Sequence, residues 1–424
     1  MSWQRYKLRD LCESVDYGLT ASASDKPIGP KFLRITDIRR NSLDWSEVPF
    51  VDIDSEDEAK YQLNSGDIVI ARTGAFTGHS AFIQNPPRSV FASYLVRLKA
   101  HFDQDPRFLY YFLQSHYFKE HLEGVIGGSA QPNASAKALS SAIIDIPPLK
   151  EQRAISSVLG ALDDKIELNR QTARTLEELA QRLFKSWFVD FDPVRAKMAG
   201  RQPAHTPPEI ADLFPDRLVD SPLGPIPEGW EFRPLADFAD FVNGKNFTKN
   251  ASGDGQMVIR IAELNSGPGA RTVWNDVDAD EKYVAEPGSI LFAWSGSLGV
   301  YRWYRDSALI NQHIFKVIPH DGISKAFCFQ ALQHLIEEFR QIAASKAVTM
   351  GHIKRSDLKE HGLYVPPDFR LVAAFSEIAS PLWERALLLE QECETLAQLR
   401  DRLLPKLISG EIRVPEPEKM AEEA

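Results

Sequence analysis

The chain repeats itself, and a repeat of this kind means one fold built twice. Trp3, Leu8 and Asp10 return as Trp230, Leu235 and Asp237. Arg34-Ile35-Thr36-Asp37-Ile38 returns as Arg260-Ile261-Ala262-Glu263-Leu264. Gly66-Asp67-Ile68-Val69-Ile70-Ala71-Arg72-Thr73-Gly74 returns as Gly288-Ser289-Ile290-Leu291-Phe292-Ala293-Trp294-Ser295-Gly296. Ile146-Pro147-Pro148 returns as Val365-Pro366-Pro367. The four blocks keep their order while the offset shrinks from 227 to 219 residues, as small loop deletions produce.

Each copy begins as an α/β module. Short apolar runs bounded by glycine, Ile68–Ala71 and Ile290–Ala293, read as buried strands. A helical stretch follows, over 106–123 in the first copy and 324–344 in the second, and a Pro-Pro pair then stops the module. A long helix comes next. From Glu151 to about Phe188 the spacing Ile155, Leu159, Leu162, Ile166, Asn169, Ala173, Leu176, Ala180, Leu183, Trp187 alternates four and three, which is a coiled-coil seam. Its polar member, Asn169, is of the kind that fixes register. The second helix runs Ala379, Leu382, Ala386, Leu389, Cys393, Leu396, Arg400, Leu403, Leu407, with Arg400 its weak member and Leu399 beside it to fill the stripe. Pro381 must kink that helix or stand in its first turn.

Matched position, length and phase predict that the helices pair with each other, antiparallel. The expected architecture is therefore two α/β (α+β) modules, an antiparallel coiled coil of two long helices, and an internal pseudo-twofold repeat. The boundaries fall at 1–148 and 230–367 for the modules, and at 149–191 and 368–412 for the helices. Residues 192–229 form a proline-rich linker, including Pro193, Pro207, Pro208 and Pro225, expected to be loop and partly ordered at most. An acidic tail occupies 413–424.

Composition narrows the class. At 424 residues two to four domains are expected. No apolar run approaches the roughly 20 residues of a membrane helix, and MSWQRYKLRD lacks the apolar core of a secretory signal. Three scattered cysteines fit a reducing compartment without disulfides, so a cytoplasmic location is expected. The net charge of −10 is unevenly placed: residues 368–424 hold 7 basic and 12 acidic residues, half of the excess. That balance argues mildly against a nucleic-acid partner. The modules, however, are nearly neutral, 16 basic to 18 acidic and 15 to 16, and a basic face is possible where the acids lie on the other side, so charge leaves DNA binding open without supporting it.

Catalytic patterns fail on inspection. Asn85-Pro86-Pro87-Arg88 approaches an amino-methyltransferase signature, but its fourth position should be aromatic to stack a flipped base, and no adenosylmethionine loop precedes it. Glu58-Ala59-Lys60, with Asp44 upstream, has nuclease spacing, yet lies in a run of acids that reads as a solvated face and is not repeated in the second copy. The histidines show no zinc-pairing spacing and no phosphate-cradling loop exists, so no metal site, no bound cofactor and no catalytic centre are expected in this chain.

Further motifs carry a family resemblance. Pro147-Pro148-Leu149-Lys150-Glu151-Gln152-Arg153-Ala154-Ile155, Leu162-Asp163-Asp164-Lys165-Ile166-Glu167-Leu168-Asn169 and Leu183-Phe184-Lys185-Ser186-Trp187-Phe188-Val189-Asp190-Phe191-Asp192-Pro193 resemble the central conserved region of type I restriction-modification specificity subunits. Ile226-Pro227-Glu228-Gly229-Trp230 is similar to the opening of that family's second target recognition domain, and Leu403-Leu404-Pro405-Lys406-Leu407-Ile408-Ser409-Gly410-Glu411-Ile412 to its C-terminal end. In one departure, the second copy has Asp368-Phe369-Arg370-Leu371 in the stretch where the first has Lys150-Glu151-Gln152-Arg153.

The resemblance implies a DNA-recognition subunit that reads a bipartite duplex site, one half per recognition domain, with the paired helices setting the gap. It implies two methyltransferase subunits that bind S-adenosylmethionine, and restriction subunits that use ATP and Mg; these cofactors belong to the partners. Two modules suit two half-sites, as dimeric readers suit palindromes. Helices of about 38 residues span about 57 Å, enough for half-sites about 34 Å apart. Polar loop residues at matched positions are the candidate DNA contacts: Arg72 and Thr73 against Trp294 and Ser295; Gln131, Asn133 and Lys137 against Thr349, His352 and Lys354; and Arg39, Arg40 and Asn41 after an early strand. Two other classes remain open: a self-contained DNA methyltransferase or nuclease, and a coiled-coil scaffold that does not bind DNA.

Overall fold

The computed structural model describes residues 3–38, 43–126, 133–222, 224–345 and 352–414. Contacts divide the chain into two units, Met1–Glu167 with Thr395–Ala424, and Leu168–Glu394. Each unit holds one module and one half of each long helix. Among the described residues no helix is long and apolar enough to cross a membrane.

The first unit begins with β1 (Gln4–Lys7), β2 (Cys12–Tyr17), β3 (Lys31–Leu33), α1 (Ser55–Tyr61), β4 (Ile68–Ala71), β5 (Ser80–Phe82), β6 (Ser89–Phe91) and β7 (Leu95–Ala100). It continues through α2 (Pro106–Gln114), α3 (His116–Ile126), α4 (Ala136–Ser140) and β8 (Ile143–Ile146) into α5 (Leu149–Phe188). The main sheet is antiparallel in the order β2-β7-β4-β5, a parallel pair β3-β6 lies beside it, and β1 pairs antiparallel with β8. The continuous apolar run of β4 follows from burial on both faces. Ile68 and Ile70 join the core under the helices, while Val69 and Ala71 join a second core on the opposite face.

The second unit repeats this plan after α6 (Asp192–Met198), α7 (Pro208–Ala211), β9 (Leu218–Val219) and β10 (Ile226–Pro227). Its module comprises β11 (Glu231–Pro234), β12 (Ala239–Asn243), β13 (Gln256–Ile259), α8 (Ile261–Ser266), β14 (Trp274–Asn275), β15 (Val284–Ala285), β16 (Ile290–Ala293), β17 (Gly299–Arg302), β18 (Ala308–Ile310) and β19 (Ile314–Pro319). Then come α9 (Lys325–Ser345), α10 (Asp357–Glu360), β20 (Gly362–Val365) and α11 (Arg370–Ile408). The sheet order β12-β19-β16-β17, the parallel pair β13-β18 and the closing pair β11-β20 match the first module, and β14 and β15 extend the β13-β18 pair into a four-stranded sheet where the first module has the two-stranded β3-β6. Here too Ile290 and Phe292 enter one core, and Leu291 and Ala293 the other. The repeat reaches single bonds: Arg34 and Arg260 each close a capping box, with Asp37 and Glu263 respectively.

Within each unit the long helices pack antiparallel, as their phase predicts. In the first, Ile155 and Leu159 near the start of α5 share a core with Leu404, Leu407 and Ile408 at the end of α11. In the second, Ala173 and Leu176 meet Ala386 and Leu389, and the rings of Phe184 and Trp187 lie 5.7 Å and 6.2 Å from that of Phe375. Ile166, Asn169 and Leu389 are buried, while Leu162, Leu176, Leu183, Leu382, Leu396 and Leu403 are half-buried. Asn169 meets Cys393 in the seam.

Three expectations need correction. Leu399 does not fill the stripe; it is exposed, and Arg400 itself is buried. Arg400 Nη1 donates to Asp163 Oδ1 at 2.7 Å, and the Tyr111 hydroxyl donates to Asp163 Oδ2 at 2.7 Å. Burial and the Asp163 carboxylate raise the Tyr111 pKa and keep that proton in place. Gly160, inside α5, leaves room for Arg107, whose Nη2 donates to its carbonyl at 3.2 Å and binds Asp164 at 2.6 Å. Second, α11 runs continuously through Pro381, which sits neither at a break nor in the first turn. Its missing N–H falls on the exposed face, where Pro381 and Glu377, four residues before it, both face solvent. Third, the 192–229 segment is not plain loop: α6, α7 and the β9-β10 hairpin lie in it, with Val194 and Phe214 buried in the core around Trp187 and Trp230. Lys197 Nζ fastens it by donating to the carbonyls of Ala211 and Phe214 at 3.1 Å and 2.5 Å. The departure at Asp368–Leu371 coincides with a difference in packing. Counting from the Pro-Pro pairs, Leu371 stands in the place of Gln152. Gln152 locks α5 to its module by accepting from Asp105 N at 2.9 Å and donating to Pro147 O at 2.9 Å; Leu371 is simply buried in the core.

The Asp163 cluster gives a stability prediction. Among the described residues, removing Asp163 leaves the buried Arg400 only the exposed Asp401, at 2.8 Å, and strips the Tyr111 hydroxyl of its acceptor, a costly loss at a buried site. Asp163→Ala is expected to lower the unfolding free energy of the first unit by about 3 kcal/mol, whereas the paired change Asp163→Leu with Arg400→Leu costs less than the single one. Urea unfolding followed by near-UV circular dichroism measures both; an Asp163→Ala loss below about 0.5 kcal/mol contradicts it.

Candidate nucleic-acid interface

The same edge is built twice. In the first module β4 ends at Ala71, and the chain then leaves the sheet at Arg72. Arg72 N donates to Tyr94 O at 3.0 Å, and Ala134 N donates to Arg72 O at 2.8 Å, so Thr73 bridges to Asn133. In the second, Trp294 N donates to His313 O at 3.2 Å, Ile353 N donates to Trp294 O at 3.1 Å, and Ser295 bridges to His352. Gly74 and Gly296 follow, at φ of 74° and 67°, a left-handed turn that glycine adopts without a Cβ clash. One backbone frame thus holds different side chains.

In the first module the Arg72 guanidinium lies 4.9 Å over the Tyr17 ring, and its Nη2 donates to Asn133 Oδ1 at 3.2 Å. Tyr17 is itself held, its hydroxyl accepting from Ala136 N at 2.9 Å. In the second, Trp294 Nε1 donates to Asn243 Oδ1 at 2.8 Å, and its ring lies 5.4 Å from His352 and 5.6 Å from His313. Ser295 Oγ and His313 Nδ1 are 3.0 Å apart. A guanidinium on a tyrosine and a tryptophan among imidazoles are both flat, polar-edged surfaces, suited to base edges and stacking.

Of the residues chosen from the sequence, the structure brings Arg72, Thr73 and Asn133 together in one module, and Trp294, Ser295 and His352 in the other. Lys137 lies exposed on α4 and Lys354 exposed just before α10, its backbone N donating to Asp357 Oδ2 at 2.8 Å. Arg39, Arg40, Asn41, Gln131 and Thr349 lie outside the described residues. Sequence reasoning missed Tyr17, Tyr94, Asn243 and His313. A signal existed, since Tyr17 and Asn243 close the equivalent strands β2 and β12, each before a glycine whose absent Cβ admits a backbone carbonyl.

The two catalytic look-alikes meet each other. Arg88, from Asn-Pro-Pro-Arg, binds both oxygens of Glu58 at 2.5 Å and holds that carboxyl below its ordinary range. Among the described residues no group of three or more His, Cys, Asp or Glu is placed to hold a metal ion.

Comparison with known proteins follows the same division. The family model described as type I restriction modification DNA specificity domain matches residues 1–178 and 227–369. The HindI type I restriction enzyme specificity subunit of Haemophilus influenzae is 26% identical, over 97% of this chain and 99% of that protein. The MjaIX specificity subunit of Methanocaldococcus jannaschii is 28% identical over 73% of this chain and 69% of that protein. The crystal structure of a type I restriction-modification S subunit from M. genitalium, 15% identical, covers 98% of this chain at a TM-score of 0.56 and shares its fold. Motif, duplicated fold, family model and a relative matched along nearly its whole length agree: this chain belongs to the type I restriction-modification DNA specificity family, and is a specificity subunit.

Proposed function

We propose that each module reads one half of a bipartite duplex site, and that the edge after β4 or β16 is its reading edge. The observation that carries this is the repetition of one backbone frame, Thr73 to Asn133 and Ser295 to His352, with different side chains on it. A frame kept while its side chains change is what two readers of different sequences need. Thr73, Lys137, Ser295 and Lys354 border these edges and serve as phosphate or base contacts. The chain contributes recognition, and the reaction belongs to its partners: two methyltransferase subunits carrying S-adenosylmethionine, and restriction subunits using ATP and Mg. The long helices set the gap between half-sites.

The test separates recognition from chemistry. Purified chain incubated with duplex DNA, labelled S-adenosylmethionine and Mg is expected neither to methylate nor to cleave. Adding the cognate methyltransferase subunit is expected to give adenine methylation, unchanged in an Asn85→Ala variant. Methylation by the chain alone, or its loss in Asn85→Ala, would place chemistry in this chain and sink the reading.

A further inference from the structure

We infer that Arg72 reads a guanine in the first half-site, with Tyr17 and Asn133 as its positioning residues. The inference rests on the proposed reading edge and goes beyond it in naming a base. Three constraints fix this guanidinium. Its Cζ lies 4.9 Å from the centroid of the Tyr17 ring, a cation–π contact that holds the head in place. One hydrogen of Nη2 is given to Asn133 Oδ1 at 3.2 Å. Nε is shielded from solvent and bonds nothing among the described residues, so the side-on Nε–Nη edge is not available to a ligand. What remains is the end-on edge of Nη1 and Nη2. Two parallel N–H groups at that spacing match the O6 and N7 acceptors that guanine shows in the major groove, the commonest specific arginine contact. Adenine carries a donor where guanine has O6 and is rejected by the same edge.

The second module carries Trp294 at this position and no guanidinium. Its neighbours Asn243, His313 and His352 offer amide and imidazole groups, and the guanine reading is inferred for the first module.

The experiment uses the chain assembled with its methyltransferase partner, on a plasmid library randomised over both half-sites, with methylated adenines mapped by single-molecule sequencing. Parent protein is expected to require guanine at one position of the first half-site. Arg72→Gln is expected to cut discrimination at that position roughly 5- to 150-fold and leave every other position intact. Tyr17→Leu and Asn133→Ala are expected to weaken discrimination at the same position by less. A merely structural role would lower activity without moving sequence preference. If Arg72→Gln weakens methylation evenly across all sequences and flattens its salt dependence, Arg72 is a phosphate contact and the inference is wrong. It is wrong too if the first half-site requires no guanine, or if the altered position falls in the second half. In each of these cases two separable half-sites in the parent profile leave the bipartite reading standing; a profile without them removes both.

Discussion

Inserting seven residues into each long helix is expected to lengthen the gap between the two half-sites by roughly three base pairs. The insertions belong between Asp163 and Asn169 on α5 and between Cys393 and Arg400 on α11. The Arg400–Asp163 pair of one unit and the Asn169–Cys393 contact of the other are thereby kept. A heptad preserves the four-three seam and adds about 10 Å at about 1.5 Å per residue. At about 3.4 Å per base pair that is roughly three pairs. Twist opposes the change: three pairs turn the second half-site by about 100°, while a heptad turns a helix by only about 20°. The methylation rate therefore falls while the preferred gap lengthens. The half-sites themselves stay the same, because neither insertion touches Arg72, Trp294 or their neighbours. A methylated-sequence profile with the parental gap at full activity would show that these helices do not set spacing.

Why such a design is open to test is plain from how the two units are fastened. In the first, α2, α5 and α11 converge on Asp163 through Tyr111 and Arg400. In the second, Arg302 of β17 binds Glu390 of α11 with two bonds, at 2.8 Å and 3.0 Å, reaches Glu177 of α5 at 3.4 Å, and lies 4.5 Å over the Trp383 ring. Each unit thus has a buried arginine at the junction of module and helices: Arg302 reaches out from the second module to both helices, whereas Arg400 on α11 meets Asp163 of α5, which the first module holds through Tyr111. The bidentate Arg302–Glu390 pair resists rotation about the helix better than apolar contacts alone.

The sequence made the duplication visible because a repeat preserves burial. Ile68–Ala71 and Ile290–Ala293 are apolar at every position since both sheet faces are covered, and that run survives any change in loops. The helix seams were legible for the same reason. Arg400 was misjudged because a cation in an apolar stripe looks like a weak link until Asp163, more than two hundred residues away in the chain, is placed opposite it. The 192–229 segment was misjudged because its prolines signal loop, while Val194 and Phe214, which anchor it, are too widely spaced to show a period. At the candidate edge, matched loops point to Arg72 and Trp294, each two residues before a repeated glycine, and to Asn133 and His352, each fourteen residues before a Pro-Pro pair. Tyr17 and Asn243 escaped because they reach the edge from another strand, and which strand lies beside β4 is a matter of sheet order that local pattern does not carry.

The central claim is that recognition is modular, one half-site to each module. Replacing residues 1–148 with the equivalent segment of another specificity subunit, which leaves α5, α11 and the second module untouched, tests it most directly. The measurement is the methylated-adenine profile of the assembled methyltransferase carrying the exchange, compared with the parent. The account predicts that one half of the methylated sequence takes on the donor's identity, while the other half and the gap stay as they were. Both halves changing together, or neither changing, would contradict it.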